Sequence, residues 1–223
     1  MRQTRRAYLA TTASALALGT AGCVGGSGGN AASALECDVP QREQVDSLPA
    51  PAMGPEDATV VVDGWEDFAC PHCATFSLEV LPKIESNYVS EGIVRYRHHD
   101  FPLPVNEWWS WKGASAARQV QNEADDETFF DFSHTLYENQ SSFSGGDAET
   151  KLSTLEEIAT DAGLDGCSVA TAASRERYRP LLEAERTDAA DDRGFRGTPT
   201  VLVNGQQVSP SWDAVESAIE NAR

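Results

Sequence analysis

Cys70-Pro71-His72-Cys73 sets two thiols at CxxC spacing directly after the strand-like run Ala58-Thr59-Val60-Val61-Val62. Thiols so placed, where a strand ends and a helix begins, can exchange one disulfide for two thiols. Pro71 in the first helical turn forfeits no hydrogen bond, because an N–H there has no intrahelical partner. The leading thiol, Cys70, then faces unpaired backbone N–H groups and the positive end of the helix dipole, both of which favour thiolate. His72 brings an imidazole next to that sulfur. Such surroundings lower a cysteine pKa from about 8.5 to roughly 3.5–7.5. A stabilised thiolate favours the dithiol, so the matching disulfide is a strong oxidant.

Zinc binding and a passive structural bridge use the same spacing. His98-His99 would supply the missing zinc ligands, but adjacent strand residues point to opposite faces. Zinc also usually takes a second tight ligand pair, which divergent histidines do not make. A CxxC at a strand-to-helix junction is the redox placement rather than the usual position of a staple.

The surrounding pattern supplies the elements that must hold these sulfurs. Val60–Val62 reads as the first strand. Phe76, Val80, Ile84 and Tyr88 recur every four residues, which predicts a helix running on from the CxxC with one buried stripe and a kink at Pro82. Ile93-Val94-Arg95-Tyr96-Arg97 reads as a second strand. A helical block spans about Glu107 to Asp192, broken by Gly113, Gly145-Gly146 and Gly163, and Ser153-Thr154-Leu155-Glu156 within it fits a capping box. Thr200–Val203 leads through Asn204-Gly205 into Gln206-Gln207-Val208, a two-residue hairpin signal. Ser209-Pro210 opens a last helix whose buried face is Trp212, Val215 and Ile219. Trp108, Trp109 and Trp111 read as core, with a border of a substrate groove as the other reading. Asn139-Gln140-Ser141 fits a glycosylation sequon, which by itself suggests only exposure.

Three segments together carry a family resemblance: Cys70-Pro71-His72-Cys73, His99-Asp100-Phe101-Pro102-Leu103, and Gly197-Thr198-Pro199-Thr200. Over residues 58–222 the chain resembles the DsbA-like thiol–disulfide oxidoreductases. The resemblance implies an α/β chain with a thioredoxin fold and an inserted helical domain at about 105–192. It makes Cys70 the nucleophile that forms the mixed disulfide and Cys73 the buried partner that resolves it, with Pro71 and His72 completing the active-site tetrapeptide. Pro199 matches the family's cis-proline against the disulfide, and Thr198 is expected to pair with an extended substrate strand. The family often keeps a buried acid six residues before the first cysteine. That position is Gly64 here, so Asp63 or Glu66 becomes the candidate for proton transfer, with plain surface acids as the alternative. No metal or organic cofactor is implied.

The remaining chemistry concerns location. Arg5-Arg6 and the Ala/Leu-rich stretch to about Ala21 predict a Tat-type signal peptide over 1–22. Thr20-Ala21-Gly22-Cys23 resembles a lipobox, which makes Cys23 the expected lipid attachment, although Thr20 stands where an aliphatic residue is usual. Residues 23–57, rich in glycine and proline, read as a flexible tether before a domain at 58–223. With Cys70 and Cys73 assigned to the active site, Cys37 and Cys167 are left as a structural disulfide; two free thiols or an intermolecular bond are the alternatives. The expected partners are reduced or misoxidised secreted proteins and a membrane redox partner, either a quinone-linked oxidase or an electron donor. The expected address is the extracytoplasmic face of the membrane.

Charge excludes one class outright. The chain has 35 Asp and Glu against 17 Lys and Arg, a formal charge of −18, and loss of residues 1–22 would take away three more arginines. A nucleic-acid binder needs a basic face that is absent here. An acidic, lysine-poor surface reads instead as halophilic, since molar salt screens its self-repulsion. Three functions fit the whole: an exported oxidase, a reductase or isomerase kept reduced by a membrane donor, and a non-catalytic chaperone-like lipoprotein.

Overall fold

A computed structural model describes residues 37–223; the expected signal peptide and Cys23 lie outside them. The sheet has the order β1-β3-β2-β4-β5. Its centre is β2 (Val60–Glu66), parallel to β3 (Val94–Asp100) and antiparallel to β4 (Thr200–Val203). Edges are β1 (Ala52–Met53) on β3 and β5 (Gln206–Val208) on β4. The first strand therefore runs four residues beyond the apolar Val60–Val62, through Asp63-Gly64-Trp65-Glu66. Strand neighbours on both sides satisfy that backbone, so pairing rather than side-chain polarity determines its length. Asn204 and Gly205 both take positive φ, as a tight hairpin turn between β4 and β5 requires.

The helix after the CxxC is α1 (Pro71–Thr75), a π turn at Phe76–Val80, α2 (Leu81–Ile84) and a second π turn at Glu85–Val89. Phe76, Val80, Ile84 and Tyr88 are all buried. A strict period of four would drift by about 40° per step on a regular α-helix. The wider i→i+5 turns take up that drift and hold the stripe on the sheet. Pro82 sits in the first turn of α2, just past the first π turn, where the ladder is already interrupted.

Between β3 and β4 lie α3 (Glu107–Glu123), α4 (Asp126–Glu138), a 3₁₀ turn at Gln140–Phe143, α5 (Ala148–Asp161), α6 (Gly166–Ser174), α7 (Arg179–Thr187) and a π turn at Asp188–Asp192. The fold is thus the thioredoxin arrangement with a helical insertion. The acidic composition is put to use at helix starts: Asp125, Asp147 and Asp165 each accept a backbone N–H two or three residues into their helix. Asp147, not the Ser153–Glu156 box, opens α5, and Ser153 lies in mid-helix. The last helix, α8 (Trp212–Ala222), starts after Ser211, two residues later than Ser209-Pro210 suggested, and buries Val215 and Ile219.

Two cores result. One, beneath the sheet, gathers Val60, Val62, Ile84, Tyr96, Val201 and Ile219. The other fills the insertion and reaches Phe68, Cys70 and Cys73, so the sulfurs sit where the two halves meet.

The part of the expected tether at 37–57 is docked. Cys37 bonds Cys167. Arg175 donates to the carbonyls of Val39 and Pro40, Arg177 Nε to that of Glu43, and Val45 N–H to the carbonyl of Arg177. Arg42 pairs with Glu123. Pro49 O accepts from Arg118 and Gln121, and Ala52–Met53 then joins the sheet. Composition alone suggested a tether because the segment has no core of its own. Its extended carbonyls instead find donors on the insertion.

Candidate active site

Cys70 is the residue before helix α1, in extended conformation, and Pro71 occupies the first turn. Cys70 is 7% exposed, and its sulfur lies 3.3 Å from the carbonyl oxygen of Thr198. Cys73 is fully buried, one turn on, and its sulfur accepts the Asp67 N–H at 3.4 Å. Both are unbonded thiols. The Thr198–Pro199 peptide bond is cis and brings Thr198 against Cys70.

The two thiols are driven apart in acidity. The Cys73 side chain hydrogen-bonds Cys70 and brings its thiol from 9.0 down to about 5, against the opposing effect of burial; Thr198 and the backbone N–H groups of Cys73 and His72 add to the lowering. Burial pushes Cys73 well above 9.0, and the charge of nearby Glu66 adds to the rise. His72 is exposed, and what it gives Cys70 is its main-chain N–H. The Thr198 hydroxyl, buried without a hydrogen-bond partner among the described residues, favours thiolate at both sulfurs.

Of the two acids considered for proton transfer, alternation along β2 separates them. Glu66 shares the face of Val62 and Gly64, toward Cys73; Asp63 shares the face of Trp65. Asp63 is engaged there by Arg97, at 2.6 and 2.9 Å, and by His99 at 3.0 Å. Burial works against its charge, but those bonds hold it below the usual range. It is a structural ion-pair partner, remote from the sulfurs' side of the sheet. Glu66 accepts the Tyr96 hydroxyl at 2.7 Å and lies 3.4 Å from His98 Nδ1. Its second oxygen, Oε2, is buried without a partner among the described residues, as are Ser133 Oγ and Tyr137 Oη. All three side chains line one cavity of about 570 Å³, which opens between the CxxC helix and α4 past Glu85, Glu127 and Asp131.

His98 and His99 part to opposite faces, as strand geometry requires. His99 stacks on Trp65. His98 is buried between Asp100 and Glu66; burial works against its charge, yet the hydrogen bonds its ring donates to those two acids raise it to about 9. Asp100 in turn holds Arg118 Nε at 2.7 Å, and Arg118 reaches Glu185 at 2.7 Å.

Several residues around the sulfurs had no individual signal in the sequence. Asp67 Oδ1 accepts Ala69 N–H, and Oδ2 accepts Leu103 N–H and the Ser110 hydroxyl; burial raises its carboxyl to about 6 despite these bonds. Trp109 Nε1 donates to Phe68 O, and Gln140 Nε2 donates to the carbonyls of both Phe68 and Cys70. Of the tryptophan cluster, Trp109 and Trp111 are buried core, while Trp108 is half-buried with Lys112 and Lys151 over its ring. The tryptophan that borders a groove at the sulfurs is Trp212, which with His72, Phe76, Thr198, Pro199 and Pro210 lines a cleft of about 540 Å³. The helical pattern puts Trp212 on the buried face of the last helix; it is instead half-buried at the rim of this cleft, a place set only when strand β4 and helix α8 fold back against α1.

A family profile described as Thioredoxin matches residues 46–221. The probable disulfide bond formation protein D of Bacillus cereus is 28% identical over 178 residues, covering 76% of each chain. The crystal structure of oxidised BdbD from Bacillus subtilis is similar with a TM-score of 0.68 at 22% identity, covering 81% of this chain and 98% of that one. Wolbachia pipientis α-DsbA1 is similar with a TM-score of 0.68 at 18% identity, covering 79% and 92%.

Proposed function

Because the chain belongs to the thioredoxin family as a DsbA-like thiol–disulfide oxidoreductase, we propose that it works outside the cytoplasm as a net oxidant, passing its Cys70–Cys73 disulfide to reduced secreted proteins. The observation that carries the direction is the unequal placement of the two sulfurs: Cys70 precedes the first turn of α1, with its sulfur against Thr198, and its thiol is lowered to about 5, whereas Cys73 is wholly buried and its thiol is pushed well above 9.

In the forward reaction a substrate thiolate attacks Cys70 Sγ of the disulfide, and Cys73 leaves. That sulfur must take up a proton, since its buried thiolate is disfavoured. A second substrate thiolate then attacks the substrate sulfur of the mixed disulfide. It expels Cys70 as a thiolate, which at pH 7 needs no proton because its thiol is lowered to about 5. A low leaving-group pKa speeds this step and stabilises the reduced product. Run in reverse, the same thiolate is a poor nucleophile, because nucleophilicity falls with pKa. The reductase or isomerase reading therefore has the weaker physical case, and intact sulfurs beside Thr198–Pro199 weigh against a chaperone-like module.

Glu66 is the residue proposed to manage the Cys73 proton. It lies on the Cys73 side of β2, and the cavity with Ser133 and Tyr137 connects it with the surface of the insertion. Extended substrate is proposed to lie along Thr198 in the cleft beside Trp212. A lipid anchor at Cys23 after Tat export, a quinone-linked membrane oxidase for turnover, and a halophilic source complete the reading.

Oxidised protein should convert a reduced unfolded protein to its disulfide form, and Cys70→Ser should abolish this. A redox titration in molar salt should give a potential nearer about −120 mV than the roughly −270 mV of thioredoxin-type reductants. A value at the lower end would overturn net oxidation.

A further inference from the structure

We propose that Gln140, in the helical insertion, is a positioning residue for the reaction: its side-chain amide places positive charge against the carbonyl end of the active-site turn and thereby favours Cys70 as thiolate. The inference rests on the reading of Cys70 as the sulfur that substrate attacks and that then leaves as thiolate.

Gln140 Nε2 donates to Phe68 O at 2.8 Å and to Cys70 O at 3.0 Å. Both partners are carbonyls, which only accept, so the orientation of the amide is determined: its NH₂ and not its oxygen faces the turn. Neither carbonyl depends on this amide for a partner. Phe68 O also accepts Trp109 Nε1 at 3.1 Å, and Cys70 O accepts the N–H groups of Cys73 and Ala74, each at 3.1 Å. What Gln140 adds is therefore not relief of an orphaned acceptor but a dipole with its positive end toward the turn.

The placement matters because the Cys70 carbonyl and sulfur are only a few covalent bonds apart. The negative ends of the Phe68 and Cys70 carbonyls lie at the same turn as the sulfur, and they oppose a thiolate there. Hydrogen bonds that draw on those oxygens reduce the opposition, and at a buried sulfur such effects are weakly screened. The titratable groups around the pair are Glu66 at the end of β2 and Asp67 just past it, Tyr96 on β3, Cys73 on α1 and Tyr137 on α4. No hydrogen bond links Gln140 to any of their side chains among the described residues, so changing it leaves them in place. The insertion thus grips the turn at three points: Ser110 on the Asp67 carboxylate, Trp109 on Phe68 O, and Gln140 on both carbonyls. Of these only Gln140 reaches Cys70 itself.

The test is a charge series at one site in the full reduced chain: Gln140→Leu, Gln140→Glu and Gln140→Lys. The Cys70 thiolate is titrated by its ultraviolet absorbance, and the equilibrium with glutathione is measured alongside thermal stability. The ionisation midpoint should rise in the order Lys, Gln, Leu, Glu, with Leu about half a pH unit and Glu about one unit above the natural residue. The glutathione equilibrium should follow the same order, up to roughly tenfold less oxidising for Glu. Variants that lose thermal stability but keep the natural midpoint and equilibrium would reduce Gln140 to a structural tie and overturn the proposal. A natural protein whose own Cys70 titrates near the ordinary 8.5 would instead overturn the reading of Cys70 on which it rests.

Discussion

The Tyr96 hydroxyl donates to Glu66 Oε1 at 2.7 Å and occupies the space a side chain at position 64 would need: a Cβ on Gly64 would lie 2.3 Å from Tyr96 Oη. Gly64 stands where the family often has its buried acid. Glu66 carries a carboxylate two residues further along the same face of β2, and Tyr96 of the neighbouring strand fills the space beside Gly64 and donates to that carboxylate.

Gly64→Ala should therefore destabilise the protein by about 1–3 kcal/mol, the usual cost of forcing extra atoms into a packed core. In a Tyr96→Phe background the same substitution should cost less, because the nearest clashing atom is gone. Urea denaturation of the four proteins in that cycle measures the difference. Equal costs in both backgrounds would break the relationship.

Tyr96→Phe alone should cost about 1–2 kcal/mol by leaving a buried carboxylate oxygen short of a donor. If Glu66 manages the Cys73 proton, Glu66→Gln should slow release of Cys73 when the oxidised protein meets a reduced peptide. Asp63→Asn, across the sheet, should leave that rate unchanged while lowering stability. Rapid-quench measurement of the mixed disulfide separates the two.

The relative stability of the two redox forms should depend on pH with a defined sign. The folded pKa of Cys70 is depressed, from 9.0 to about 5. Its contribution to the reduced form is fully present above the unfolded value and is lost as pH falls through about 5. Reduced protein should thus gain stability over oxidised protein as pH rises from about 5 toward 9. Groups such as Asp67 and His98 titrate in both forms and cancel to first order in the difference. Paired chemical denaturation of the two forms across that range checks the slope.

Arg118 is wholly buried between Asp100 and Glu185. Arg118→Met should destabilise the protein by about 3–5 kcal/mol, because it leaves buried acids without their counter-charge. The disulfide activity of whatever remains folded should persist, since the cluster lies beyond His98 from the sulfurs.

Removing the Cys37–Cys167 bridge, which closes a loop spanning 130 residues of sequence, should cost at most about 5 kcal/mol. Proteolysis after Cys167→Ser should cut first within residues 37–50. Mass spectrometry of the non-reduced natural chain should recover the cross-linked Cys37 and Cys167 peptides.

Much of this molecule was legible as a linear pattern. The CxxC at a strand end, the four-residue stripe of Phe76, Val80, Ile84 and Tyr88, and the Asn204-Gly205 hairpin are local signals, and local signals survive without a partner. Their combination with Gly197-Thr198-Pro199-Thr200 was enough to indicate the thioredoxin arrangement and its insertion. The docked segment at 37–57 was misread because its support comes from Arg175 and Arg177, more than 130 residues away.

The sequence by itself determined the chemistry: two cysteines at the mouth of a helix, a proline between them, and an acidic composition that disfavours a nucleic-acid partner. Only the tertiary structure decided which groups tune that chemistry. Asp63, Glu66 and Asp67 are near neighbours of like type, and nothing linear separates them. Strand alternation sends Asp63 to Arg97 and Glu66 toward Cys73, while the insertion brings Ser110 to Asp67 and Gln140 to the carbonyl of Cys70. Electrostatic effects act over a few ångströms of space, and that proximity is made by chain segments dozens of residues apart.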